Sequence, residues 1–268
     1  MVKLVISTSN PEIKSIRALR EKKYRDESGL FFVEGIRPVM EAYSQRAQFT
    51  RIIYCPSLLR SQAANDFIRQ ISASQENLML QVDQKTFNSL TLKEGPQGLA
   101  AVIRQRWDSL AILSKEQGIW VALDSVQDPG NLGSILRTLD AVGGNGVILL
   151  DQGTDAYHPT AVRASMGAIF TMRIIKTDHA QFISWKSGSQ LPCYAAICDK
   201  GLDYQDVQFP PSLVLLMGSE QKGLNQGLVE ICESLIRIPM RGRVDSLNLA
   251  NATSVILYEV YNQQRRKE

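Results

Sequence analysis

Apolar and polar positions follow two periods along the chain. Short apolar runs typical of buried strands are separated by longer stretches in which apolar residues recur with helical spacing. This alternation predicts an α/β fold. In the first hundred residues or so it predicts strands over Leu30–Val33, Arg51–Cys55, Leu78–Val82 and Gly98–Ile103. Predicted helices begin at Asn10-Pro11 and cover Gly35–Ala47, Ser57–Ile71 and Gln84–Leu92.

The second half repeats the alternation with more strongly apolar strands. Because runs such as VLLM are apolar throughout, they favour a parallel sheet covered on both faces. The predicted strands are Ile119–Leu123, Gly146–Leu150, Met172–Ile175, Pro192–Ala196, Leu213–Met217 and Leu235–Ile238. The predicted helices are Leu132–Val142, Pro159–Phe170, Leu224–Cys232 and Asn248–Gln264, and a loop is expected over Ser184–Gln190.

The pattern divides the chain into two domains of different charge. We expect one domain over residues 1–107, a linker over 108–118 and a second domain over 119–268. Residues 1–107 carry 16 Lys and Arg against 10 Asp and Glu, a net charge of +6, whereas the remainder carries 14 against 17. The basic half suggests an anionic partner such as nucleic acid, although a solvated basic helix face remains an alternative.

Composition excludes several classes of protein. No run of eighteen apolar residues is present and the N-terminus lacks signal-peptide features, so no membrane span and a cytoplasmic location are expected. The four cysteines are scattered and only two histidines occur, His158 and His179. These residues lack metal-ligand spacing, so no metal site is expected. So few histidines also argue against Ser-His-Asp or Cys-His catalysis.

Three loops rich in glycine and polar residues each follow a predicted strand of the second half. Their sequences are DSVQDPGNLGSILRT, GSEQKGL and PMRGRVDSLNLANA. In parallel sheets the carboxyl ends of the strands hold ligands, so the loops are expected to lie along one rim. None matches a dinucleotide fingerprint or a phosphate-binding loop.

Individual residues in these loops have structural alternatives. Asn131 could serve only as a helix N-cap, and Ser246 with Asn248 as a capping pair. Arg137 lies in an apolar run and could be either an exposed helix residue or an anion ligand. Glu220 follows a predicted strand and lies between glycines, where a simple strand-to-helix turn does not require a carboxylate.

Taken together, the loops resemble the three motifs of the SpoU-type, or TrmH-type, RNA 2′-O-ribose methyltransferases of the SPOUT superfamily. The matching segments are DPGNLGSILRT, LLMGSEQKGL and IPMRGRVDSLNL, with VRASMGAIF between the first two. The likeness covers residues 119–260. The segments FFVEGIRPV and PQGLAAV resemble, more weakly, an L30e-type RNA-binding domain fused to such enzymes.

The resemblance implies a C-terminal parallel sheet with a deep trefoil knot, preceded by a smaller L30e-like α/β domain. It further implies S-adenosylmethionine as cofactor and a homodimer formed through the first-motif helix and the long C-terminal helix. The implied cofactor contacts are Leu216, Met217, Gly218, Ile238, Met240 and Leu247. The implied catalytic residues are Arg137, Asn131, Glu220, Ser246 and Asn248. The expected RNA-binding residues are Lys14, Arg17, Arg20, Lys22, Lys23 and Arg37.

The expected activity is methyl transfer to a ribose 2′-hydroxyl, with 23S rRNA as the favoured substrate. Arg137 suits a bidentate clamp on the phosphate beside the target ribose, whereas a guanidinium is a poor base, so the proton acceptor stays open. Glu220 and Asn131 would orient this arginine, and Ser246 with Asn248 would hold the ribose. The alternatives are a tRNA methyltransferase and a catalytically silent RNA-binding protein of ribosome assembly.

Overall fold

A computed structural model describes residues 2–92 and 94–266. The described residues form two compact units. The first unit lies within Met1–Gln105 and includes Tyr157–Phe170, and the second lies within Arg106–Ala156 and Thr171–Glu268. Within the described part of the chain, no helix is both long enough and apolar enough to cross a membrane.

The first unit is built on a mixed five-stranded sheet. Its strands are β1 (Lys3–Val5), β2 (Leu30–Glu34), β3 (Phe49–Tyr54), β4 (Met79–Val82) and β5 (Leu99–Arg104). Its helices are α1 (Pro11–Ala18), α2 (Lys22–Ser28), α3 (Ile36–Ser44), α4 (Gln62–Ser74) and α5 (Gln84–Leu90). The strand order is β1-β4-β3-β5-β2, and β5 runs antiparallel to both of its neighbours. Ile13, Ile53, Phe87 and Ala100 lie fully buried in its core.

The basic N-terminal segment forms two helices. The Asn10 side chain accepts a hydrogen bond from Glu12 N and Pro11 occupies the first turn of α1, as the sequence predicts. The α1 helix ends at Ala18, and α2 begins four residues later. Arg25 is buried and its Nη1 donates to the carbonyls of Leu19 and Arg20, which satisfies acceptors at the end of α1.

The second unit is built on a parallel seven-stranded sheet. Its strands are β6 (Ile119–Asp124), β7 (Gly146–Leu150), β8 (Arg173–Thr177), β9 (Cys193–Ala196), β10 (Leu202–Asp203), β11 (Leu213–Met217) and β12 (Ser234–Arg237). Its helices are α6 (Pro129–Ala141), α9 (His179–Ser187), α10 (Gln226–Glu230) and α11 (Leu249–Arg265). The strand order is β10-β12-β9-β11-β6-β7-β8. All six pairings are parallel, so the predicted parallel sheet is confirmed.

Two expectations about secondary structure are wrong. The predicted helix Pro159–Phe170 is two short helices, α7 (Pro159–Ala164) and α8 (Ala168–Thr171). They are separated because Met166 and Gly167 have left-handed backbone, with φ of 52° and 106°. The predicted loop Ser184–Gln190 begins inside helix α9, whose N-terminus is capped by the Asp178 side chain.

The pairing register of the strands places the polar loops of the second unit at one edge of the sheet. Met217, the last residue of β11, pairs with Leu123 in β6 and with Ala196 in β9. The carboxyl ends of these three strands are therefore level with one another. Trp120 and Val214 of the sheet and Phe182 of α9 lie fully buried in one core cluster.

Candidate active site at the carboxyl ends of the parallel strands

A cavity of about 410 Å³ opens at the carboxyl ends of β9, β11 and β12. The sequence predicts that the second and third loops meet there, and segments of both line the cavity. Five of the six predicted cofactor residues are among its walls, namely Met217, Gly218, Ile238, Met240 and Leu247. Two predicted catalytic residues, Glu220 and Ser246, line it as well.

Backbone crowding shapes the loop that follows β11. Ser219 and Gly223 exchange two backbone hydrogen bonds, with N···O distances of 3.1 and 3.0 Å. A Cβ placed on Gly218 would lie 2.3 Å from the carbonyl carbon of Gly223. Only glycine therefore allows the two ends of this turn to approach so closely.

Replacing Gly218 with alanine is expected to displace this loop and weaken S-adenosylmethionine binding by tenfold or more, since overpacking against backbone costs about 1–3 kcal/mol. Gly242→Ala is the matched control, because a Cβ on Gly242 in the third loop has no neighbour within 4 Å. Calorimetric titration of the cofactor and thermal unfolding would be measured for both variants. Equal cofactor affinity in the two variants would contradict the role given to Gly218.

A chain of side-chain hydrogen bonds connects the three loops. Asn131 Nδ2 donates to Glu220 Oε1 at 2.6 Å, and Asn248 Nδ2 donates to Asn131 Oδ1 at 3.0 Å. The Asn248 Oδ1 in turn accepts from the backbone N–H groups of Ala250 and Asn251 at the start of α11. The three predicted catalytic residues Asn131, Glu220 and Asn248 thus form one network.

Capping of α11 determines the direction of this network. Because backbone N–H groups can only donate, the Asn248 oxygen must face them and its amide nitrogen must face Asn131. The Asn131 oxygen then accepts, which leaves its own amide nitrogen to donate to Glu220. The N-terminus of α11 thus fixes the orientation of both asparagine amides, so that Asn131 Nδ2 is the donor that faces the Glu220 carboxylate.

Asn131 does not act as a helix cap. The cap of α6 is Asp128, whose Oδ1 accepts from Gly130 N at 2.7 Å. Asn131 lies in the first turn of α6 with only 8% of its surface exposed. Asn248, in contrast, caps α11, as one of its two interpretations predicts, and it also donates to Asn131.

Four of the predicted cofactor and catalytic residues lie outside the cavity walls, namely Leu216, Arg137 and the two network residues Asn131 and Asn248. Leu216 is fully buried within β11. Arg137 lies on an exposed part of α6 and forms no hydrogen bond or ion pair with any residue of the described chain. Within one chain the structure therefore does not bring Arg137 into the cavity.

The predicted RNA-binding residues differ in what they contact. Arg17 donates to the carbonyl and hydroxyl of Ser89, and Arg20 donates to the carbonyls of Ser89 and Thr91. These two guanidinium groups connect α1 and the turn after it with the end of α5. Burial is the largest cause that lowers the pKa of Arg20. The exposed members of the set are Lys14, Lys22, Lys23 and Arg37.

The sequence interpretation overlooked one wall of the cavity. Ala196, Ile197 and Cys198, at the carboxyl end of β9, line it together with the two predicted loops. Their position after a predicted strand was a usable indication, because every carboxyl end of a parallel sheet lies on the same rim. They were missed because this segment carries no glycine-rich motif.

The cavity fits the cofactor that the motifs imply. Its volume lies within the range of small-molecule sites, and Met217, Ile238 and Leu247 provide the apolar walls that suit a planar base. Glu220, Asp245 and Ser246 add polar groups at the same cavity. In the described part of the chain, no group of three or more His, Cys, Asp or Glu side chains could hold a metal ion.

Comparison with known families assigns both halves of the chain. The model of the SpoU rRNA Methylase family matches residues 118–258. The model of the MRM3-like substrate binding domain matches residues 10–101. The first match contains all three loops, the cavity and the hydrogen-bonded network.

Relatives resemble this chain over nearly its whole length. The 23S rRNA (guanosine(2553)-2′-O)-methyltransferase RlmP of Bacillus subtilis is 27% identical, covering 97% of this chain and 99% of its own. The 23S rRNA (uridine(2479)-2′-O)-methyltransferase of Streptomyces viridochromogenes is 28% identical, covering 97% and 92%. The crystal structure of an AdoMet-bound rRNA methyltransferase from Sinorhizobium meliloti has 35% identity and a TM-score of 0.89, covering 97% and 98%.

Proposed function

The chain belongs to the SpoU rRNA methylase family, and on that premise we propose that it transfers a methyl group from S-adenosylmethionine to a ribose 2′-hydroxyl of 23S rRNA. The observation that carries this proposal is the network of Asn131, Glu220 and Asn248, which joins the motif loops beside a cavity of suitable size. The two relatives named above act on different nucleotides, so the target nucleotide does not follow from family membership.

Residues of the second and third loops would hold the cofactor. Gly218 allows close backbone approach, while Met217, Ile238 and Leu247 provide apolar surface. When bound, S-adenosylmethionine supplies a methyl group activated by its positive sulfonium. The task of the protein is to hold the attacking hydroxyl in line with that methyl group, since positioning contributes much of the rate enhancement.

In this proposal, Glu220 is the carboxylate that acts on the substrate hydroxyl. One of its oxygens is held by Asn131, and the other forms no hydrogen bond within the described residues. That second oxygen is available to accept a hydrogen bond, or the proton, from the ribose hydroxyl. Assistance of this kind contributes about 10²–10⁴-fold in rate. Ser246, at the same cavity, offers a further hydroxyl for the ribose.

The proposed activity is tested by incubating the protein with labelled S-adenosylmethionine and rRNA from a strain that lacks the gene, followed by mapping of the 2′-O-methyl site. We expect one labelled nucleotide in 23S rRNA and no label with Glu220→Gln. Bulk tRNA from the same strain serves as the parallel substrate. Label confined to tRNA would favour the tRNA alternative. Cofactor binding without methylation of either RNA would favour a catalytically silent RNA-binding protein.

We further propose that the exposed cations of α1 and α2 recruit RNA. Changing Lys14, Lys22 and Lys23 together to glutamine is expected to weaken RNA binding and to reduce the log–log salt slope by about 2, because each phosphate contact contributes roughly 0.7. Thermal stability should change little, since these side chains are exposed. Filter binding at several salt concentrations measures both quantities.

The matched control for this charge change uses three other exposed cations of the same unit. These are Lys85, Arg60 and Arg69. Their change to glutamine removes the same net charge and should leave most of the salt slope intact. An equal loss of affinity and slope in both triple variants would show that RNA binding depends on overall charge and not on this surface.

A homodimer formed through α6 and α11 is also part of the proposal. The two helices pack together, with Thr138 Oγ1 and Ser254 Oγ 2.9 Å apart. Tyr258 of α11 is 46% exposed, and its ring packs edge-on against Tyr261. Because Arg137 neighbours Thr138 on α6, a partner subunit docked on this face would receive the arginine that its own chain leaves outside the cavity. Light scattering that reports a monomer at micromolar concentration would contradict the dimer.

The family motifs imply three further properties, namely a knot, a division into domains and a cellular location. We propose that the loops around the cavity belong to a trefoil knot, with α11 as the threaded segment. The division into an RNA-binding domain over 1–107, a linker over 108–118 and a methyltransferase domain over 119–268 is proposed on the same basis. An rRNA substrate would place the activity in the cytoplasm.

A further inference from the structure

A buried carboxylate lies at the end of β6, next to the cavity but not among its walls. Asp124 is the last residue of this strand and is only 4% exposed. Its Oδ2 accepts a hydrogen bond from the backbone N–H of Asn225 at 2.8 Å. Its Oδ1 lies 2.8 Å from His179 Nε2 and 3.0 Å from the Ser125 hydroxyl. Every oxygen of this carboxylate is therefore engaged.

The histidine that contacts Asp124 is itself held on its other side. His179 Nδ1 lies 2.8 Å from Asp151 Oδ2, and the backbone N–H of His179 donates to Asp151 Oδ1 at 3.0 Å. Asp151 directly follows β7, and His179 begins α9, the helix after β8. The three side chains thus connect the carboxyl ends of three adjacent strands.

Backbone strain coincides with this cluster. Ser125 and Asp151, the residues that follow β6 and β7, both have a φ of 54°. A positive φ is uncommon for residues other than glycine, and it persists only where surrounding contacts enforce it. The hydrogen bonds of Asp124, His179 and Asp151 supply such contacts, so the cluster fixes the backbone at the ends of both strands.

The backbone N–H bound by Asp124 closes the loop that lines the cavity. This loop leaves β11 at Gly218, turns through Ser219 and Gly223, and ends at Asn225, which caps α10 through its side chain. Its segment from Gly218 to Leu224 includes Glu220 and forms one wall of the cavity. Both ends of that wall are therefore fixed, one by the strand and the other by Asp124.

We propose that Asp124 is a positioning residue that holds the loop after β11 in its cofactor-binding conformation, and that His179, supported by Asp151, keeps the Asp124 carboxylate directed at Asn225. The inference rests on the proposed function only for the identity of the bound molecule. None of the three side chains lines the cavity, so their effect on binding must pass through the loop.

The test compares two substitutions of Asp124 with a matched control in the full-length protein. Asp124→Ala removes both acceptors, while Asp124→Asn keeps one oxygen that can accept from Asn225 N–H. Asp178→Asn is the control, because it removes one carboxylate beside His179 while an asparagine still caps α9. Amide hydrogen exchange of the segment 218–225 is measured without cofactor, and calorimetry then gives the Kd of S-adenosylmethionine.

We expect Asp124→Ala to accelerate exchange in this segment and to raise the cofactor Kd by about tenfold or more. Asp124→Asn should fall between Asp124→Ala and wild type, and Asp178→Asn should match wild type. The KM for RNA should change by less than about twofold, because RNA is proposed to bind mainly through α1 and α2, whereas kcat should fall because the displaced loop carries Glu220. If Asp124→Ala does not fold, the isosteric Asp124→Asn carries the same comparison.

Two results would overturn the proposal. One is unchanged exchange of the segment 218–225 in a folded Asp124 variant. The other is faster exchange spread evenly over the second unit with an unchanged cofactor Kd, which would indicate a general loss of stability. If the wild-type protein bound no S-adenosylmethionine, the proposed function would fail, while the exchange measurement would still decide whether Asp124 holds the loop.

Discussion

Replacing Arg137 with alanine is expected to abolish methyl transfer while leaving cofactor affinity and stability nearly unchanged. The side chain is exposed and makes no hydrogen bond or ion pair with the described residues of its own chain, so folding does not depend on it. The RNA phosphate and the reacting hydroxyl would lose their cationic partner. Loss of such a preorganised contact typically costs about 10²–10³-fold in rate. Single-turnover methylation at saturating RNA measures this effect.

Arg137→Lys is the conservative control. A lysine keeps the charge but offers no planar pair of donors, so it should restore only a small part of the rate. Full activity with lysine would mean that charge alone is required. Near-wild-type rates with alanine would remove Arg137 from the mechanism.

If the proposed homodimer forms, mixed dimers show which subunit supplies the arginine. Arg137→Ala and Glu220→Gln chains, each inactive alone, are unfolded together and refolded. Random pairing makes about half of the twofold-symmetric dimers mixed. If Arg137 serves the partner's cavity, one of the two sites in each mixed dimer is intact, so about a quarter of wild-type activity should return. If Arg137 serves its own chain, both sites of every mixed dimer are defective and no activity should return.

Asn131→Asp is expected to have the second large effect. The substitution replaces the amide that donates to Glu220 at 2.6 Å with a second carboxylate at the same place. Two carboxylates in contact repel, so Glu220 should leave its position beside the cavity. Because Asn131 is 8% exposed and the repulsion is poorly screened, we expect a rate loss of about 10²-fold or more together with a modest loss of stability.

The control for Asn131→Asp lies three residues earlier, at the N-cap of the same helix. Asp128→Asn changes the charge in the opposite direction but preserves the cap of α6, since both residues cap helices equally well. It should retain nearly full activity. An Asn131→Asp enzyme as active as Asp128→Asn would show that the hydrogen bond to Glu220 has no part in the reaction.

The edge of the second unit that carries the cavity was predictable from the chain pattern. The apolar runs from Ile119 to Leu123 and from Leu213 to Met217 are central strands, because residues buried on both faces of a parallel sheet must be apolar throughout. Their carboxyl ends then had to carry the polar loops. The helix start at Asn10-Pro11 was predictable for a similarly local reason, since capping involves only neighbouring residues.

Long-range contacts decided what the polar residues do. By sequence alone Asn131 could be a cap or a functional residue, and only packing brings it to Glu220, which is 89 positions away. Arg17 and Arg20 carry the same charge as Lys14, yet both guanidinium groups donate hydrogen bonds to the end of α5. The contact of His179 with Asp124 likewise joins two segments that no local pattern relates.

The two α/β patterns, the parallel sheet and the three loops at its rim follow from the order of residues alone, because hydrophobic period and helix capping are properties of neighbouring residues. Which polar groups face one another depends on the assembled fold, which brings Asn131 to Glu220 and Asp124 to Asn225 and leaves Arg137 outside the cavity of its own chain. Hydrogen bonds depend on distances of about 3 Å, and the chain fixes such distances between remote residues only when the whole sheet is assembled.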